Sequence, residues 1–200
     1  MAIIKTALEI ALERTESVKS DKSSIDLFEA KQRGKKLAND FLADDTDLAG
    51  EIKKAPAEQK DSLKQGIFDV LISQIMLPAG KSQPEDGGDD KRIETVCKGL
   101  QIIISSKKFN VLCQHLMQLF SRYRQEAANY EKAIRQQYGP KLRQKEEELS
   151  RRLGREVRID PSQDPEFLAF FNQHMNSLKS GYESVIEQAK EEIRVMFNSN

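Results

Sequence analysis

Two hundred residues allow one domain, or one compact domain with an extended helical arm. Hydrophobic residues at 38%, charged residues at 32% and no Trp limit the thickness of any core, yet Leu, Ile, Val and Phe recur too regularly for disorder throughout. A formal net charge of zero removes any global pull toward nucleic acid or an anionic membrane.

The chain opens Met1-Ala2-Ile3-Ile4-Lys5 and passes into an amphipathic stretch with Glu9 and Glu13. It lacks the uninterrupted apolar run and cleavage site of a signal peptide. No apolar run reaches the roughly eighteen residues of a membrane span. The expected location is cytoplasmic, with no membrane partner. Ile4, Leu8, Ala11, Leu12, Thr15 and Val18 share one face, which predicts a helix over 3–18. Ser20 to Ser24 predict a break, with Ser23 and Asp26 as a short capping box. A second helix is expected over 24–43, its stripe being Leu27, Phe28, Lys31, Gly34, Leu37, Ala38, Phe41 and Leu42. Gly34 in mid-helix costs up to about 1 kcal/mol, and one reason to keep it is close helix approach. The acidic run at 44–47 ends this helix or starts the next turn.

Ala55-Pro56 predicts a helix start, and Pro78 its end. Between them Leu63, Ile67, Phe68, Leu71, Ile72, Ile75 and Met76 form the most apolar face, the expected core centre. Residues 78–90, rich in Pro, Gly and acid, read as a flexible linker. A short helix is expected over 90–104, with Ile93, Val96, Cys97, Leu100, Ile103 and Ile104 inward. From 107 a longer stripe runs to about 138 through Phe109, Leu112, His115, Leu116, Leu119, Phe120, Tyr123, Ala127, Tyr130 and Ile134. Gly139-Pro140 is expected to kink or break it, with a new segment over 140–153 carrying Leu142, Leu149 and Leu153. Gly154 suits the position just past a helix end. After an irregular stretch at 155–163, Asp164-Pro165-Glu166 is a strong helix start. The last helix runs to about 197, with Phe167, Phe171, Met175, Leu178, Tyr182, Val185, Ala189, Ile193 and Met196 at near-heptad spacing.

Each long C-terminal stripe is narrow and needs a partner to leave water, and the other arm is the nearest one. The expectation is an all-α protein: a helical bundle body with a long antiparallel, coiled-coil-like hairpin. The N-terminal helical region spans 1–77, the linker 78–90 and the C-terminal region 91–200. The body extends to 104 and the hairpin covers 107–197.

Candidate chemistry is sparse. Gly80-Lys81-Ser82 lacks the earlier glycine of a phosphate loop, Ile75 standing there, and no strand precedes it. His115 and His174 lie one on each arm and could meet across the hairpin, but no spacing typical of metal ligands accompanies them. Cys97 and Cys113 read as two buried thiols. No nucleophile motif occurs. Glu146-Glu147-Glu148 reads as a solvated face, with Glu147 near Arg151 and Glu148 near Arg151 or Arg152 at ion-pair spacing. The Phe and Tyr residues fall at helical spacing and read as core. No catalytic residue, metal or cofactor is expected.

Residues 132–158 hold nine Lys and Arg against four Glu. Arg135, Lys141, Arg143 and Lys145 precede the hairpin end, and Arg151, Arg152, Arg155 and Arg158 gather at its tip. Guanidinium groups there suit phosphates or an acidic protein surface. No aromatic residue is interleaved for base stacking.

The opening Ile4-Lys5-Thr6-Ala7-Leu8-Glu9-Ile10-Ala11-Leu12-Glu13-Arg14-Thr15 resembles the start of a family of bacterial helical proteins of unknown function. Asp164-Pro165-Glu166-Phe167 carries a second echo of it. The resemblance implies a helical fold and brings no activity with it. The hairpin is similar in architecture alone to peripheral-stalk subunits of rotary ATPases.

Near-heptad patterning without a convergent polar site leads to a non-enzymatic interaction or scaffold protein. Its partner would be another protein or a second copy of itself. The alternative is an RNA- or ribosome-associated factor using Arg151, Arg152, Arg155 and Arg158 on phosphates.

Overall fold

The computed structural model describes residues 7–44, 46–78 and 88–199, for 7–22 and 88–90 through the backbone alone. Six α-helices and two short 3-10 turns make up the described residues, with no strand among them. They are α1 (Ala7–Asp44), α2 (Leu48–Lys54), α3 (Lys60–Ser73), α4 (Gly88–Ile104), α5 (Lys107–Leu153) and α6 (Pro165–Asn198). The chain forms two compact units, and Arg92–Ser106 belongs with the N-terminal helices while α5 and α6 form the other unit.

In the first unit α1 is one continuous helix, so the break expected at Ser20–Ser24 is absent. Ser and Asp each cost only a few tenths of a kcal/mol inside a helix, and neither Gly nor Pro occurs before Gly34 to stop it. Burial begins later than the stripe predicted: Leu27 and Phe28 are 38% and 62% exposed, whereas Ala30, Gly34, Ala38 and Phe41 are buried. Asp47 caps α2, its side chain accepting from the Gly50 amide at 2.9 Å. Arg33 reaches Glu51 at 3.3 Å, tying α1 to α2.

The inward residues of α1 are small because α3 lies on them. A Cβ on Gly34 would strike the Leu63 carbonyl oxygen, and a Cβ on Gly66 would strike the carbonyl oxygen of Lys31. Each glycine therefore admits the other helix's backbone. Around this crossing Leu63, Ile67 and Leu71 are fully buried, and Lys31 pairs with Asp69 at 2.8 Å along its edge. Gly99 of α4 works similarly, since a Cβ there would press on the Leu71 and Phe41 side chains. The six apolar residues assigned to α4 are all buried.

Two boundaries of the apolar helix differ from expectation. A 3-10 turn at Ala57–Gln59 follows Pro56, and α3 ends at Ser73 rather than near Pro78. Ile75 stays buried beyond the helix end, while Met76 is 47% exposed and leaves the core. Most of the expected linker, with Gly80-Lys81-Ser82, lies outside the described residues.

In the second unit α5 and α6 form the long antiparallel hairpin. Tyr123 meets Tyr182, Tyr130 meets His174 and Tyr138 meets Phe167, so numbers rise along one arm as they fall along the other. α5 runs unbroken through Gly139-Pro140, so the break expected there as the alternative to a kink is absent. Proline clashes with the Cβ of the residue before it, and glycine has none. What remains is one lost backbone hydrogen bond and the crowding of the ring against the carbonyl four residues back. Tyr138 and Leu142, on either side, pack on Ile134 and Phe167 and carry the helix across. On α6 Ile186 is buried and Val185 is 46% exposed, reversing the stripe by one residue. Phe170, absent from the predicted stripe, packs on the same cluster. Leu149 and Leu153, read as seam, are 37% and 56% exposed, because α6 starts below them.

Gly34→Ala and Gly66→Ala are each expected to cost about 1–3 kcal/mol or more, since the added methyl meets backbone that cannot rotate away. Gly181→Ala, with open space at its Cβ, should instead stabilise α6 by about 0.5–1 kcal/mol. Urea unfolding midpoints read both, and a neutral Gly34→Ala would contradict the close crossing.

Candidate functional site

The hairpin end is built by Tyr138, Lys141 and Lys145 of α5 facing Asp164 and Glu166 at the start of α6. Positions 138, 145 and 152 are separated by heptad steps, so Lys145 sits on the seam rather than the outer face. A lysine on a seam needs a counterion. Asp164 supplies it, with Lys145 Nζ at 2.9 Å and 2.8 Å from its two carboxylate oxygens. The same ammonium lies 3.0 Å from Glu166 Oε2, and Lys141 Nζ lies 2.8 Å from that oxygen. The Tyr138 hydroxyl donates to Asp164 at 3.1 Å. Asp164 is also the α6 N-cap, accepting from the Glu166 amide at 3.0 Å. It is the only buried charged side chain among the described residues, at 5% exposure.

Hydrogen bonds from Lys145 hold the Asp164 carboxyl below the usual aspartate range, against the opposing effect of its burial. Glu166 is lowered by Lys141 first and Lys145 next. Lys145 is held well above the usual lysine range, chiefly by Asp164. Burial raises the Tyr138 phenol. Beneath these groups, the Tyr138 and Phe167 rings meet edge to face at 5.2 Å, and Phe170 and Phe171 extend the stack. Such pairs add about 0.5–1.5 kcal/mol beyond their area.

Past the lock, the connecting loop is stitched back along α5. The Val157 amide donates to Ser150 Oγ at 2.9 Å and the Ile159 amide to Glu146 Oε1 at 2.9 Å. Gly154, at φ 65°, makes the left-handed turn that ends α5. Glu146 is therefore a loop anchor and not merely a solvated face.

The structure brings Arg151, Arg152, Arg155 and Arg158 to this tip, all exposed. They differ in their partners. Arg151 lies 3.7 Å from Glu147, and Arg158 Nε lies 3.4 Å from Glu156. Arg152 and Arg155 have no carboxylate partner among the described residues. Glu148, expected to pair with Arg151 or Arg152, pairs with neither. Of the bases preceding the tip, Lys141 and Lys145 are engaged as above and Arg135 pairs with Glu131 at 2.9 Å. Lys145, Glu148, Leu149, Arg152 and Ile159 line a surface depression of about 150 Å³.

His115 and His174 do not meet. His174 Nδ1 lies 3.3 Å from the Tyr130 hydroxyl, with the Phe170 ring 4.4 Å from its own. His115 is exposed, fifteen residues before Tyr130 on α5, which is about 22 Å along the helix. Cys97 and Cys113 are buried and not joined in a disulfide. No group of three metal-ligating side chains occurs among the described residues, and no described helix is long and apolar enough to cross a membrane.

The sequence marks Asp164 as a cap but not as a counterion, and leaves Lys141 and Lys145 among the bases that precede the hairpin end. The heptad step from Tyr138 to Lys145 was the available signal.

Asp164→Ala removes cap and counterion together and should cost about 1–3 kcal/mol. The pH dependence has two limbs. Asp164 and Glu166 are lowered, so their stabilisation is complete above the ordinary values of 3.8 and 4.5 and is lost as pH falls through their folded values. Lys145 is raised, so its contribution is complete below the ordinary 10.5 and is lost only as pH rises through its higher folded value. Protection of the Glu166 amide, its hydrogen-exchange rate taken relative to the intrinsic rate at each pH, should fall on acidification in the native chain. In Asp164→Asn that protection should start lower and lose most of its acid dependence; an unchanged acid response in that variant would reject the lock.

A family described as a family of unknown function, DUF6657, matches residues 49–195. That span contains Asp164-Pro165-Glu166-Phe167 and the whole lock, but not the opening segment. No curated protein and no solved structure matches the chain.

Proposed function

The chain belongs to the DUF6657 family, and we propose that it is a non-enzymatic helical interaction protein whose hairpin is the contact arm, with another protein or a second copy of itself as partner. One observation carries the reading: the hairpin end is held before any partner arrives. Asp164 joins Lys145, Tyr138 and the first turn of α6, and two further hydrogen bonds hold the loop to α5. A loop already ordered loses less conformational freedom on binding, which is how preorganisation raises affinity. The charged and aromatic groups at the hairpin end hold the arm's shape.

The second reading is contact with RNA through Arg151, Arg152, Arg155 and Arg158. It is favoured by Arg152 and Arg155, whose guanidinium groups have no carboxylate partner among the described residues. It is weakened by Glu147 and Glu156, which already face Arg151 and Arg158.

A photo-crosslinking residue at Glu156, on the tip, should give discrete protein adducts in the native cell, and one at Gln188, on the shank of α6, far fewer. Nuclease-sensitive adducts at Glu156 would favour the RNA reading. No adduct at either position, together with a chain that sediments as a monomer at all concentrations, would reject the hairpin as a contact arm.

A further inference from the structure

The geometry points to a second copy of this chain as the occupant of the tip, in a two-fold contact between hairpin ends. This rests on reading the hairpin as an interaction arm and names its partner. Three observations converge. The seam of α5 continues past the start of α6, so Leu149 and Leu153 remain 37% and 56% exposed at the end of an otherwise covered stripe. Beside them lies the depression of about 150 Å³ bounded by Lys145, Glu148, Leu149, Arg152 and Ile159. Pockets for drug-sized ligands run to about 300–1,000 Å³, so this one suits a single side chain. The lining charges without ion-pair partners are of both signs, Glu148 and Arg152, one helical turn apart on α5.

An acidic partner would match the arginines and oppose Glu148. A basic partner would do the reverse, and RNA would set phosphates against Glu148 and the two leucines. A second copy related by a two-fold axis satisfies both signs, because in such a contact residue i meets j while j meets i. Glu148 of each copy then faces Arg152 of the other, and the projecting Leu153 of each enters the other's depression. Knob and hole lie one helical turn apart on the same surface, as a self-complementary patch requires. The contact is small, so dissociation in the micromolar range or weaker is expected, roughly the low end for specific interfaces.

Sedimentation of the full chain across a wide concentration range tests this. The native chain should shift from monomer to dimer mass as concentration rises. Leu153→Glu should abolish the shift. Glu148→Arg and Arg152→Glu should each abolish it too, since each places like charges across the axis. Mixing these last two variants should restore a dimer, because every cross-axis pair is again opposite in sign, and restoration also shows that both are folded. A native chain that stays monomeric overturns the proposal, as does a dimer indifferent to the tip variants or variants that fail to complement. If the chain is monomeric but its Glu156 position crosslinks to another protein or to RNA, this inference falls and the contact-arm reading stands.

Discussion

A buried carboxylate controls the hairpin end. Asp164 is nearly inaccessible, and a charge so placed is tolerable only when its lone pairs are satisfied. It receives the Lys145 ammonium, the Tyr138 hydroxyl and the Glu166 amide. The last of these starts α6, and the other two come from α5, so one side chain sets where the second helix begins and against which turn of the first. The aromatic cluster of Tyr138, Phe167, Phe170 and Phe171 gives adhesion beneath it but tolerates sliding far better than three directed hydrogen bonds do.

That pinning changes what the basic stretch means. Lys141 and Lys145 are engaged internally, and two tip arginines face their own glutamates. What remains at the tip is a small set of unmatched charges of both signs around exposed leucines. A surface of that kind attracts little at long range, where net charge governs. It discriminates at contact, where pairing and fit govern.

The first unit meets a different constraint. Reciprocal glycines, Gly34 and Gly66, let α1 and α3 approach until backbone touches backbone. Close approach lengthens the shared apolar contact of the two helices, around which Leu63, Ile67 and Leu71 are buried. The helix propensity lost at each glycine is recovered as packing, and it explains why α1 presents Ala30, Gly34 and Ala38 rather than leucines.

Much of this was readable in one dimension. The three-and-four spacing of apolar residues reports which face of a helix avoids water, so the all-α class, the inward residues of α4, and the long arms at 107 and 164 followed from the sequence. Asp164-Pro165-Glu166 and Gly154 act through their own local backbone, so their roles as helix start and helix end were legible too. Continuity through Ser20–Ser24 and through Gly139-Pro140 was not: serines break a helix only weakly, and the stronger break at Pro140 is outweighed by tertiary packing, that of Tyr138 and Leu142. Nor could the sequence tell Lys145 from Arg152, two bases a heptad apart on one helix. Whether a charge is matched depends on what lies across the seam, and only the tertiary structure brings Asp164, nineteen residues on, against one and leaves the other facing water.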